Sequence, residues 1–321
     1  IPDRRAYWYN TLTNESHFGV LGMYPSKDDA IYIDGDASDW DKLDDGDKTK
    51  LGMQVEGFNE IWATHDEGYL YLLLNLSESL DFSNRSIYLG FDTLNGGNRH
   101  APQLQGKTLD EGLETLIELG NKDKGRMMIA SNYDFHTRYY GKLSKILAYD
   151  PKALQDDSGL FNPWKLVVNY LLEKPDARFD HPFGDIEVGD LLRGTSDPQD
   201  PNYNSKAMWQ AKGNVLEIRI PWMLLGFSDP SSLSAISYTD TGTKEFESVK
   251  VDGVRLVPWI VRKDSKGVIG LAGNNPYPVS KLPVYAWKRW EDIDVDYVER
   301  PKQSYYTMQK AMREVNQPVS E

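Results

Sequence analysis

The octet Tyr69–Leu76, YLYLLLNL, constrains the fold of this chain more than any other stretch. Successive side chains of a strand point to opposite faces, so a run apolar at almost every position calls for cover on both sides, as in a central strand. Further β signals recur at residues 59–65, at 86–91 with Ile87, Leu89 and Phe91 on one face, and at 126–131, 164–170, 215–220 and 254–261. Helix is scarce. Pro221 opens a short candidate through Leu225, and residues 305–315 read as a terminal amphipathic helix. The stretch 109–119 fits a helix through Leu109, Leu113, Leu116 and Ile117 and equally fits a strand. Between Tyr149 and Tyr203, Pro and Asp at turn-initiating positions (DPKALQDDSG, TSDPQDPNYN) read as loop. Many short strands joined by aromatic-rich loops predict an all-β fold: an antiparallel, jelly-roll-like β-sandwich with an extended N-terminal arm and a C-terminal helix. The boundaries are an arm over 1–28, the sandwich over 29–285 and an extension over 286–321.

Charge narrows the function. Lys and Arg number 36 against 49 Asp and Glu, a formal net charge of −13, so phosphate backbones and anionic bilayers are repelled over most of the surface and nucleic acid is not an expected partner. No apolar run approaches the ~18 residues that a membrane-crossing helix needs, so no transmembrane segment is expected. The absence of cysteine removes zinc–thiolate sites, disulfides and thiol catalysis. The chain opens on Ile1-Pro2 without a basic-then-apolar leader, which reads as a processed or excised piece. There is no GxSxG, HExxH or GxGxxG, and Gly120–Gly125, which resembles a phosphate-binding loop, continues into Arg126-Met127 instead of Lys-Ser/Thr. His17, His65, His100, His136 and His181 are scattered, with no pair at metal-ligand spacing. No catalytic residue is assigned.

Three groups of residues are candidates for chemistry. Asp34, Asp36 and Asp39, with Ser38 and Asp41, gather hard oxygen ligands of the kind calcium takes, and Asp92 at a strand end is a further candidate ligand. The EF-hand template itself fails, and the alternative is a turn at Asp34-Gly35-Asp36 with Asp39 capping the next turn of the chain. Carboxylates such as Asp66, Glu67, Asp92, Asp134, Asp185 and Glu217 leave open a glycoside-hydrolase pair across a cleft. Glu217 and Arg219, however, alternate with Leu216, Ile218 and Ile220 and read as the outer face of a strand. Finally, nine Trp and nineteen Tyr supply flat rings suited to stacking on sugars. Trp40, Trp62 and Trp222 fall in strand patterns and read as packed. Phe82, Tyr203, Trp209 and Tyr277 fall in loop-like sequence and are the candidate ligand contacts.

The segments Ile33-Asp34-Gly35-Asp36 with Asp39-Trp40, the run from Trp62 to Tyr71, the strand Ile87-Tyr88-Leu89-Gly90-Phe91-Asp92-Thr93, and Leu216-Glu217-Ile218-Arg219-Ile220-Pro221-Trp222 occur in an order and spacing that resembles the family 9 carbohydrate-binding modules and related DOMON-like β-sandwiches, over roughly residues 30–285. The resemblance implies a non-catalytic polysaccharide-binding module, a sugar held between two rings with Phe82 in one place and a partner from the loop around Tyr277, and a structural calcium ion. The ends, Asp3-Arg4-Arg5-Ala6-Tyr7-Trp8 and Glu299-Arg300-Pro301-Lys302, look like the flanks of such a domain in large bacterial envelope proteins, where a glycoside-hydrolase-like barrel precedes it. That implies an extracellular or cell-envelope location and an upstream catalytic domain in the same polypeptide. The alternatives are a structural or docking sandwich without a glycan site, and a glycoside hydrolase.

Overall fold

The computed structural model describes residues 21–25, 31–145, 147–168, 184–237, 247–264, 267–289, 297–301 and 303–315. The arm expected over 1–28 therefore lies outside the described residues except for 21–25, as do His17 and His181.

In chain order the described strands begin with β1 (Leu21–Pro25), β2 (Thr49–Lys50), β3 (Phe58–His65), β4 (Tyr69–Leu76), β5 (Arg85–Asp92), β6 (Thr115–Leu119) and β7 (Lys124–Ala130). They continue with β8 (Phe161–Pro163), β9 (Lys165–Val168), β10 (Gly184–Glu187), β11 (Asp190–Arg193), β12 (Ala207–Lys212), β13 (Val215–Pro221) and β14 (Phe227–Asp229). The last are β15 (Ser234–Ser237), β16 (Glu247–Lys250), β17 (Val254–Arg262), β18 (Val268–Ile269), β19 (Val284–Tyr285) and β20 (Tyr297–Pro301), and helix α1 (Gln303–Val315) closes the series.

Thirteen strands share one mixed sheet, whose path runs β18-β17-β5-β6-β7-β11-β12-β13-β4-β3-β2 with β19 on β17 and β8 on β7. All of these pairs are antiparallel except β11 on β12, which is parallel. The two ends of the path come together. Gly57, just before β3, lies so close to the far edge that a Cβ there would sit 2.9 Å from Ile260 of β17 and 3.3 Å from Ile269 of β18. A Cβ on Gly270 would likewise sit 3.0 Å from Val55. The sheet is thus nearly closed into a barrel. Hydrogen bonding continues around one curled sheet, where a sandwich has two separately bonded ones. Smaller sheets join β14-β15-β16, β9 with β10, and β1 with β20.

Period-2 alternation sorts side chains between two cores. From β5, Ile87, Leu89 and Phe91 enter the main core, together with Leu256 and Ile260 of β17 and Leu216, Ile218 and Ile220 of β13. Tyr88 of β5 and Val257, Trp259 and Val261 of β17 face the other way, into a second core closed by Leu104, Leu109, Leu113, Leu271 and Val279 of the covering loops. Tyr88 and Trp259 stack there, 5.3 Å apart and 11° from parallel. β4 lies between β13 and β3 and is buried at every position but Asn75, the environment its octet calls for.

Two segments differ from expectation. The ambiguous stretch 109–119 resolves into β6 preceded by an isolated bridge of Leu109 to Tyr277. The span 149–203, read as loop apart from the strand signal at 164–170 in which β9 lies, also contains β8, β10 and β11 among its described residues, strands of three or four residues too short for an apolar period to emerge between their Asp and Pro.

Candidate functional site

One end of the curled sheet carries a cleft of about 620 Å³. Five connections build it: Leu80, Asp81, Phe82 and Ser83 between β4 and β5; Gly120, Asn121 and Lys122 between β6 and β7; Arg193 at the end of β11; Ala211 and Gly213 at the β12–β13 turn; and Lys263 after β17. The rim is tied by main-chain bonds, Leu80 N–H to Gly213 O at 3.0 Å and Lys263 N–H to Asn84 O at 2.7 Å. Lys263 Nζ adds two more, donating to Phe82 O and Gly120 O at 2.7 Å each, so one ammonium group joins two of the loops.

The floor is aromatic. Phe82 is half-buried and meets Trp209 edge to face, with ring centroids 5.5 Å apart. Trp209 is fully buried in β12 and donates its indole N–H to Leu191 O at 3.0 Å. Arg193 lies over Trp209, its guanidinium carbon 5.3 Å from the ring centroid. It donates to Gln210 Oε1 at 2.6 Å, Ala211 O at 2.7 Å and Lys122 O at 3.1 Å. The cleft thus presents one partly exposed ring on a pre-formed base, bordered by hydroxyl, amide and charged groups, a layout suited to a polar ligand with an apolar face.

Of the four aromatic residues expected to contact ligand, Phe82 alone lines this cleft. Trp209 is corrected from an exposed loop residue to a core residue: it sits in a strand at 0% exposure and supports Phe82 from below. Tyr277 is half-buried against the second core, and its main chain bonds Thr108 and Asp110 beyond the Asp92 end of β5, whereas Phe82 precedes the Arg85 end. The expected pairing of Phe82 with Tyr277 is therefore not made. Tyr203 is half-buried at the bridge to Thr195 and does not line the cleft.

The acidic loop is organised by its own backbone. Asp34 Oδ1 accepts from Asp36 N–H at 2.7 Å, Asp36 Oδ1 from Ser38 N–H at 3.1 Å, and Gly35 takes φ +80°. Asp39 caps the 3-10 turn Trp40–Lys42, accepting from Trp40 N–H at 2.9 Å and Tyr32 N–H at 2.7 Å. Burial pushes Asp39 up to about 6. Among the described residues no three His, Asp or Glu side chains converge on a point that holds a metal, so Asp34, Asp36, Asp39 and Asp92 are not brought together.

Beneath this loop lies a residue misjudged from sequence. Glu217, expected on an outer strand face, is completely buried, and so is Arg219 at 1% exposure. Glu217 Oε2 accepts from Gly35 N–H at 2.7 Å and Asp34 N–H at 3.1 Å, and Oε1 accepts from the Trp40 indole at 2.8 Å. Burial first, then the neighbouring Asp39 charge, raises its carboxyl to about 8. Arg219 donates to Ala207 O and Ser205 O at 2.7 Å and lies 4.6 Å from the centroid of Tyr69. The segment 31–43 covers this face, which an alternating pattern cannot reveal.

Asp92 belongs to a second buried acidic pair. It bonds Arg255 at 3.0 Å, and Glu114, 4% exposed, caps the loop after β5 by accepting from Thr93 N–H at 2.7 Å and Leu94 N–H at 3.1 Å. Among the described residues Glu114 Oε1 has no hydrogen-bond partner. Burial raises both; Glu111 and Asp110 lift Asp92 further against the pull of Arg255, and the Asp92 charge helps hold Glu114 well above the usual range. Of the remaining candidate carboxylates, Asp66 accepts from Gly68 N–H, Tyr69 N–H and Tyr71 Oη, Asp134 from His136 N–H, Thr137 and Asn162, and Asp185 from Lys165, while Glu67 is buried at 5% exposure; none of them lines the cleft. Among the described residues the Phe82 cleft carries a single carboxylate, Asp81. Comparison with family models, with curated proteins and with solved structures finds no match to this chain.

Proposed function

We propose that this chain is a non-catalytic carbohydrate-binding module of a larger bacterial cell-envelope or secreted protein, and that glycan binds in the cleft over Phe82. The observation that carries this reading is the half-buried Phe82 ring standing on Trp209 within a polar-rimmed cleft of about 620 Å³. A pyranose offers a C–H face to the ring and hydroxyls to Asp81, Ser83, Asn121 and the cations of the rim. The single carboxylate of the cleft favours binding over the two-carboxylate chemistry of glycoside hydrolysis. On this reading the curled sheet is a variant of the jelly-roll-like sandwich of such modules.

Calcium enters this reading at Asp92 and Glu114. The orphaned Glu114 Oε1 beside a second buried carboxylate fits a hard cation, which would neutralise the pair and fix the loop after β5; backbone carbonyls would complete its shell. The acidic loop does not fit in this way, since its carboxylates already serve main-chain N–H groups.

A second reading, docking of the C-terminal extension on a catalytic domain of the same polypeptide, is favoured by α1, which leaves Met308, Met312 and Val315 at 54%, 61% and 83% exposure.

The test of the first reading is a glycan array probed with the folded chain, with calcium and again with chelator. Reproducible binding to a defined glycan class supports it; a blank array in both conditions removes it and leaves the docking reading.

A further inference from the structure

The charges at the cleft run against those of the chain. The protein carries a formal −13, yet the cleft is lined by three cations, Lys122, Arg193 and Lys263, and one anion, Asp81. Two of the cations are fixed in place. Arg193 is held by Gln210, Ala211, Lys122 O and the face of Trp209, and Lys263 by the carbonyls of Phe82 and Gly120. Carbonyl partners orient these groups without neutralising them, so both charges act on whatever enters. Lys122 is exposed at the rim, with no ion pair of its own among the described residues. Of the nearby acids, Asp190 pairs with Lys124 at 2.9 Å and Glu78 with Arg85, while Asp81, whose carboxyl Lys263 helps hold down, and Asp123 offset part of the positive charge.

A concave site with low-dielectric walls concentrates the field of its fixed charges, while the acidic remainder of the surface repels anions. A neutral sugar gains hydrogen bonds from these cations but nothing from their charge. An anionic one gains from the charge at the cleft.

Resting on the reading of the Phe82 cleft as a glycan site, we infer that its ligand is an anionic glycan, one whose sugar units carry carboxylate or phosphate groups that lie against Lys122, Arg193 and Lys263 while a ring face packs on Phe82. Phe82 supplies affinity for sugar as such. The three cations supply the discrimination in favour of charge.

Matched ligands test this on the full chain by titration calorimetry: tetragalacturonate against its fully methyl-esterified form, and 6-phosphorylated maltotetraose against maltotetraose. At 50 mM salt at least one anionic member should bind about tenfold tighter than its neutral counterpart, with the advantage shrinking at 500 mM as the charges are screened. Which anionic member binds tells carboxylate from phosphate. Lys122→Glu, at an exposed position outside the fold's packing, should cut the anionic affinity by about tenfold and that of a neutral ligand by much less. Equal binding of the charged and neutral members overturns the inference and leaves the glycan reading standing. An anionic preference unmoved by both salt and Lys122→Glu also overturns it. No binding of any of the four by folded protein overturns the inference, while the glycan reading stands or falls by the array.

Discussion

The indole Nε1 of Trp40 donates to Glu217 Oε1 at 2.8 Å, joining residues 177 apart in sequence and both at or below 1% exposure. Because Glu217 Oε2 takes the N–H groups of Asp34 and Gly35, one carboxyl gathers three donors from the covering segment 31–43. Glu217→Ala would leave all three buried donors without a partner, and an unsatisfied buried group costs about 1–3 kcal/mol. The expected result is a loss on the order of 3 kcal/mol in urea unfolding, much larger than for an exposed glutamate such as Glu56.

Glu217 also makes stability pH-dependent. Its folded pKa of about 8 lies above the ordinary 4.5, so the folded state holds the proton more tightly and the associated stability is lost as pH rises toward 8. Asp39, at about 6, acts in the same direction over a lower window. His136, lowered by burial, acts oppositely below its ordinary 6.5, so the range from pH 6.5 to 8 isolates the carboxyl effect. The melting temperature should fall across that range, and Glu217→Gln, which cannot ionise, should show a shallower fall.

The sheet closure was not legible in the sequence, and its physical reason is local. Strand existence followed from period-2 and continuous apolar runs, so β3, β4, β5, β7, β9, β13 and β17 were readable, as was α1. Closure depends on Gly57 at φ +94° packing on Ile260, and one glycine among 26 carries no mark of that contact. The same limit explains the site. Phe82 was identifiable as a ring in a turn-rich segment, and the Asp34-Gly35-Asp36 turn with its Asp39 cap was readable from side-chain chemistry. The burial of Trp209 and of Glu217 was not, since each is covered by residues remote in sequence.

Gly57→Ala probes the closure. The added methyl meets Ile260 Cδ1 at 2.9 Å in a backbone conformation that disfavours side chains. A loss of about 1–3 kcal/mol is expected by denaturant titration, whereas Gly46→Ala, with open space around it and no positive φ, should be close to neutral.

The cation reading of Asp92 and Glu114 predicts that millimolar calcium raises the melting temperature by several degrees and that chelator reverses the gain, because binding to the folded state alone stabilises it. Glu114→Gln should abolish the response. A melting temperature indifferent to calcium would instead assign Glu114 Oε1 a proton.

Phe82 and Trp209 should separate function from stability. Phe82 is only half-buried, so Phe82→Ala should cost about 1–2 kcal/mol, while Trp209→Ala, at 0% exposure, should cost about 3–5 kcal/mol by leaving a cavity. Thermal melts of the two variants check the difference.

The most direct measurement titrates the strongest glycan found by array screening into the wild-type chain, Phe82→Ala and Tyr277→Ala. The cleft account predicts that Phe82→Ala weakens binding about tenfold or more, as expected for a ring that buries its face on the ligand, and that Tyr277→Ala binds like wild type. Full affinity in folded Phe82→Ala, or a loss confined to Tyr277→Ala, would contradict it.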